Sequence, residues 1–319
     1  MKETGSVISG QPGSKPVRLK KNLSKGIKRH WQLYFVVAVP LIYLVIFKYV
    51  PFWGSQIAFK DYNLRLGVTG SPWVGLKHFR TFFISPQFSR LMINTIGLSL
   101  YNIFAGMWPP ILLALSLNYA RRKYIKKMVQ LITYMPYFIS NVLVVGILMQ
   151  MLSLRGPVNG MIQSLGGPAI QFMGAPVWFK SVYVWSDIWK ATGYQAVVYL
   201  AALSAVSPEL HEAAIVDGAN VWQRIFHVDI PSIVPTMVVL LIMSCGRVLN
   251  MGAEKVLLMQ NQINMQSSDI ISTYVYRTGL VGMQFSFSTA IGLFQSLVSL
   301  LFLIIVNWVC RRLNETSLW

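Results

Sequence analysis

Six stretches of this chain, near residues 31–52, 91–118, 128–152, 178–204, 232–251 and 286–310, stay predominantly apolar over the length that a helix needs to cross a bilayer. No soluble arrangement hides six such runs in 319 residues. The expectation is an all-α membrane protein of six transmembrane helices. Composition agrees: 54% of the residues are hydrophobic and only 12% charged, where a soluble domain averages about a quarter charged. Mean hydropathy is +0.52.

The charges then orient the spans. Lys and Arg number 28 against 10 Asp and Glu, a net +18. In a soluble protein such an excess would suggest nucleic acid, but here the cations cluster beside apolar runs, where topology accounts for them. The basic residues of segment 1–30, the RRKYIKK run from Arg121 to Lys127 and the closing Arg311-Arg312 all fall on one side, which is thereby the cytoplasmic side. Both termini are expected inside. The organisation read from this is a basic cytoplasmic tail over 1–30, a six-helix domain over 31–312 and a cytoplasmic C-terminus over 313–319. The tail is not a signal peptide, because the apolar run after it is too long and lacks a small-residue cleavage site. Its cations suit anionic lipid heads, although a topological role alone explains them. The outward loop over 53–90 also holds Lys60, Arg65, Lys77 and Arg80. Within it Leu76, Phe79 and Phe83 recur at helical spacing, so that Gly75 to Phe83 is expected to lie in the outer interface. Cys245 and Cys310 sit in apolar segments and define neither a disulfide framework nor a metal site. Pro109-Pro110 should interrupt the ladder of the second span.

Between the fourth and fifth apolar runs lies a polar segment, SPELHEAAIVDGANVWQRIFHVDIPSIVP over 207–235. Ser207 followed by Pro208 is a helix start, so a helix should run from Pro208 to about Asp217. Gly218 permits a left-handed elbow, and Asn220 can cap a second short helix reaching His227 or Val228 before Pro231 breaks it. Two short helices at a glycine elbow make a compact knob on a membrane surface.

Glu212, Ala213, Ala214, Gly218, Val228, Ile230 and Pro231 make this segment resemble the EAA loop of permease subunits in binding-protein-dependent ATP-binding-cassette importers. Asp217-Gly218-Ala219 resembles the sugar-importing branch, and the WVGLKHF stretch at Trp73–Phe79 and the STYVYRTGL stretch at Ser272–Leu280 resemble the polysaccharide and oligosaccharide branch of the maltose-type permeases, an alginate-type importer being one candidate for the chain. The resemblance implies a type I importer permease fold with a cytoplasmic EAA coupling helix, in which Glu212, Ala213, Ala214, Asp217 and Gly218 meet an ATPase. It implies, as partners, a second homologous permease subunit, two ATPase subunits, an extracytoplasmic solute-binding protein and a saccharide, in a bacterial inner membrane. No Gly-rich stretch ends in Gly-Lys-Ser/Thr. The chain is therefore expected to be non-catalytic and without a cofactor of its own, with ATP and Mg carried by the partner ATPases.

Polar groups at bilayer depth are costly and so become candidates for a pathway. Asp187, Lys190 and Tyr194 follow i, i+3, i+7 spacing beside Gln195, and Arg247, Asn250 and Glu254 repeat that spacing in the fifth run. Two readings stand. Asp187 with Lys190, and Arg247 with Glu254, can be ion pairs that lock helices; alternatively Lys190, Tyr194, Gln195, Arg247 and Asn250 line a sugar pathway. Aligned on the EAA segment, Tyr194, Arg247 and Asn250 correspond to sugar-contacting places in maltose-type relatives. A guanidinium suits a carboxylate better than a neutral sugar, which favours an acidic saccharide. A neutral sugar, a non-sugar solute, or an ion-driven transporter are the rival readings.

Overall fold

The computed structural model describes residues 31–314, with side chains through Arg312; the basic tail and residues 315–319 lie outside the described residues. The chain divides into two units at Ser55. The first holds most of α1 (Trp31–Phe59), an apolar helix with no buried side chain between Trp31 and Trp53. Its ladder widens to a π-helical turn at Val45–Tyr49, two residues before Pro51. Proline lacks an N–H and its ring crowds the carbonyl four residues back, and a widened turn relieves both.

The second unit is built around two long helices, α3 (Gln87–Tyr119) and α7 (Pro176–Ser204). Before them α2 (Lys77–Ile84) is a short helix. The helix of α3 continues through Pro109 and Pro110, so the two missing N–H groups cost ladder bonds without ending it. Leu98, Tyr183, Val184 and Ile188 join α3 to α7 in one buried cluster, and Ile111, Ala114, Ala196 and Tyr199 do so in another. In α2 the buried residues are His78 and Phe82, whereas Leu76 and Phe83, expected on the anchoring face, are exposed. Phe82 meets Phe88, Phe287 and Phe294 edge to face. The loop is further tied down by Tyr62 N–H donating to Ser286 Oγ at 2.9 Å.

The third apolar run is not one helix, contrary to the expectation for 128–152. α4 (Lys123–Tyr134) passes into a tight turn at Met135–Phe138, and α5 (Asn141–Met151) leaves at 100° to it. Pro136 removes a ladder N–H there, and the Ser140 hydroxyl starts the new helix by accepting from Leu143 N–H at 3.3 Å. After α6 (Pro157–Ser164), α7 crosses close over α4. A Cβ at Gly193 would collide with the Thr133 carbonyl, so this approach needs glycine.

The polar segment forms α8 (Pro208–Val216), capped by Ser207 Oγ on Glu209 N–H at 3.3 Å. Gly218 follows with φ 77°, the left-handed conformation that glycine adopts freely. Asn220 and Gln223 then cap each other reciprocally at 2.9 and 2.8 Å to open α9 (Val221–Cys245). Here Pro231 does not break the chain into a second short helix. A π-helical turn at Ile225–Asp229 again precedes the proline by two residues, and the helix continues to Cys245.

That end is a third correction, since the fifth run was expected to stay helical to 251. Residues 246–249 turn instead, because Ser99 on α3 and Gln295 on α13 (Phe285–Asn314) donate to the buried carbonyls of Val248 and Leu249. Arg247, Asn250 and Glu254 therefore do not share a helix face. The chain continues through α10 (Ala253–Met259), α11 (Met265–Ser268) and α12 (Ile271–Val275), whose π-helical extension reaches Val281. Among the described residues, α1, α3, α9 and α13 are long and apolar enough to cross a membrane, and α4 with α5 adds a fifth if the bent pair is one span. α7, with 29 residues, interrupts its apolar run with Lys180, Asp187 and Lys190.

Candidate functional site

A cavity of about 440 Å³ opens between α3, α7, α9 and the turn after α9. Tyr194, Gln195, Arg247 and Asn250 all line it, together with Asp187. The turn explains how Arg247 and Asn250 reach this wall without helical spacing. Val248 and Leu249 are drawn into the core by their pinned carbonyls, which leaves Arg247 and Asn250, on either side of them, exposed. Among the described residues the Arg247 guanidinium has no hydrogen-bond or ion-pair partner. Asn250 Nδ2 lies 3.5 Å from Ser299 Oγ.

Lys190 is not in the cavity wall. Its ammonium donates to Asn141 Oδ1 at 2.7 Å, and Asn141 Nδ2 donates to Glu254 Oε2 at 2.7 Å. One amide thus bridges the cation and the carboxylate across α7, α5 and α10. Asp187 pairs with Lys255 at 3.1 Å. Neither of the two ion pairs considered from the sequence is formed.

Tyr194 is stacked on Tyr137, with ring centroids 4.0 Å apart and planes at 7°. This fixes the ring on one side and leaves a residue that is still 48% exposed. Tyr137, Asn141 and Lys255 were all missed from sequence. Ser140 as a cap could have placed Asn141 at a helix start, but no local signal connects Lys255 with Asp187, 68 residues away.

The knob is a separate feature. Glu212, Ala213, Asp217 and Gly218 are exposed and Ala214 is half-buried, on a helix with no buried residue. Val216 is 87% and Trp222 69% exposed, an apolar surface without cover among the described residues. The knob is tied to the long helices from below: Asp229, fully buried, accepts from Tyr119 Oη at 2.7 Å and lies 3.4 Å from His211 Nε2 on α8.

Residues 106–315 match the model of the binding-protein-dependent transport system inner membrane component family. The chain belongs to that family. Family membership covers α3 from Gly106 onward and therefore the knob and most of the cavity wall. The chain is 40% identical over 294 residues to protein LplB of Bacillus subtilis (strain 168), covering 92% of each chain. It is also 40% identical over 306 residues to the polygalacturonan/rhamnogalacturonan transport system permease protein YteP of the same organism, covering 96% of this chain and 95% of that one. A solved relative is a chain of a bacterial ABC transporter involved in the import of the acidic polysaccharide alginate. It superposes with a TM-score of 0.85 at 40% identity over 92% of this chain and 99% of its own. The same likeness holds for that transporter in complex with an alginate pentasaccharide-bound periplasmic protein. This chain is accordingly a sugar importer permease of the inner membrane.

Proposed function

We propose that the chain forms, with a second permease subunit, the membrane pathway of an ATP-driven importer for an acidic oligo- or polysaccharide. The observation that carries the acidic reading is Arg247, a guanidinium on the cavity wall with no partner among the described residues. An unpaired cation at membrane depth costs on the order of 3 kcal/mol even on insertion scales, so a site that keeps one suits a ligand that supplies the anion. A uronate carboxylate can bind such a fork through two parallel hydrogen bonds. The exposed face of Tyr194 offers a surface for a sugar ring, and Gln195 and Asn250 offer donors and acceptors for its hydroxyls. That YteP and the alginate transporter take acidic polysaccharides supports the same reading.

Six spans complete this picture, with α4 and α5 as one broken span and α7 as the span whose polar residues turn inward. Both termini and the knob lie in the cytoplasm. Two ATPase subunits, carrying ATP and Mg, dock at the knobs of the two permeases, and one of them grips α8 of this chain through Glu212, Ala213, Ala214, Asp217 and Gly218. The uncovered apolar residues Val216 and Trp222 supply the surface for that contact. An external binding protein delivers the saccharide. Closure of the ATPases moves the knob, and through the Asp229 link to Tyr119 and His211 the motion passes to α3 and α9. The chain itself makes and breaks no covalent bond and holds no cofactor.

Purification of the chain with its membrane neighbours, followed by ATPase measurements with a panel of saccharides, tests this. Co-purification of a second permease and an ATPase, and stimulation by uronate oligosaccharides over neutral ones, is the expected result. Stimulation by neutral sugars alone would overturn the acidic reading and leave the permease reading intact.

A further inference from the structure

Two ionised residues stand in the cavity wall, Asp187 and Arg247, and they carry opposite signs. If both were felt equally, the cavity would have no electrostatic preference for an anionic sugar. The structure treats them differently. Arg247 is exposed and has no partner among the described residues, whereas the Asp187 Oδ1 accepts from the Lys255 ammonium at 3.1 Å. That ammonium also donates to the Tyr183 carbonyl at 2.9 Å and sits 4.5 Å over the Tyr183 ring.

The pair is asymmetric in exposure, at 4% for the Lys255 side chain and 34% for that of Asp187. The cation lies behind the wall and the anion in front of it. The other charges nearby do not alter this balance, because Lys190 and Glu254 are joined through Asn141.

We infer that Lys255 is a specificity-determining residue: it cancels the Asp187 carboxylate from behind the wall, so that a saccharide in the cavity meets the charge of Arg247 alone. The inference rests on the acidic-saccharide reading above and names a residue that does not touch the ligand. Juxtaposing like charges at a desolvated contact suppresses binding, and an unmasked Asp187 would do this to every uronate entering the cavity. The Tyr183 carbonyl and ring are cation-holding groups independent of Asp187, so Lys255 should keep its place when Asp187 is neutralised.

The test is uptake by cells carrying the whole transporter. Its two probes are a labelled uronate oligosaccharide and the same oligosaccharide with its carboxylates reduced to alcohols, and the readout is the ratio of the two rates. The wild type should favour the uronate. Lys255→Gln should lower the ratio by about tenfold through uronate uptake, and Asp187→Asn should hold or raise it. The double variant should return to the wild-type ratio.

A Lys255→Gln protein present in normal amount with an unchanged ratio would overturn the inference, as would equal loss of both probes repaired together in the double variant, which marks a merely structural pair. If Lys255→Gln does not accumulate, Asp187→Asn decides, since a ratio below wild type there would also overturn it. A wild type without preference for the uronate overturns the acidic reading itself, and with it this inference, before any substitution is made.

Discussion

Asp269 and Arg247 are both charges set among apolar helices, and the molecule provides for them in opposite ways. Asp269 is fully buried. Arg277 Nη2 donates to both of its oxygens at 3.1 and 2.9 Å, Thr273 Oγ1 donates to Oδ1 at 3.0 Å, and Arg90 stands 3.4 Å from Oδ2. Its own backbone carbonyl accepts from Asn94 on α3 at 3.1 Å. Arg247 has the cavity and no described partner. A charge that holds elements together arrives with its partners in the same chain, and a charge kept for a ligand arrives without them.

The largest effect is expected at the provided charge. Asp269 is buried while its two guanidinium partners reach water, so neutralising it strands no buried cation but weakens several hydrogen bonds to a charged group at once, each contributing about 1.5–3 kcal/mol before solvent screening of the arginines is allowed for. Asp269→Asn should therefore lower the yield of folded protein and its melting temperature in detergent, for any saccharide or none. Normal yield and melting would show that burial and partner number do not mark a structural charge here.

The next effect should be specific to the ligand. A hydrogen bond to a charged group contributes about 1.5–3 kcal/mol, so Arg247→Gln should weaken uronate uptake roughly 10- to 100-fold. Yield and the uptake of neutral sugar should stay near wild type. Equal loss for neutral and acidic sugars together with poor yield would place Arg247 in the same class as Asp269.

This contrast was only partly legible in the sequence. The knob was readable because its signals are local: Ser207 and Asn220 cap within three residues, and Gly218 takes its left-handed turn by itself. Tyr194, Gln195, Arg247 and Asn250 were singled out as polar residues in apolar runs, and one cavity collects all four. The argument from helical spacing was nonetheless wrong for Arg247 and Asn250. The turn that presents them is made by Ser99 and Gln295, which lie far from it along the chain. The same distance hid Lys255 behind Asp187. The bend after α4 had a local signal in Pro136 and Ser140, but the predominantly apolar composition of 128–152 outweighed it.

The smallest effect is expected at the shortest carboxylate ion pair among the described residues. Asp61 and Lys77 meet at 2.8 Å, closer than Asp187 and Lys255 at 3.1 Å, yet their side chains are 51% and 56% exposed. Water screens such a pair, and exposed pairs contribute about 0.2–1 kcal/mol at most. The hydrogen bond from Lys77 holds the Asp61 carboxyl below its ordinary range. A carboxyl that is more acidic in the folded chain adds stability above its unfolded value, near about 3.9, and loses it only as pH falls through the folded value. Asp61→Asn should accordingly leave melting and transport close to wild type, with parallel pH profiles between about pH 5 and 8, the range above that transition. A loss as large as that of Asp269→Asn would show that distance, and not burial, ranks the charges of this chain.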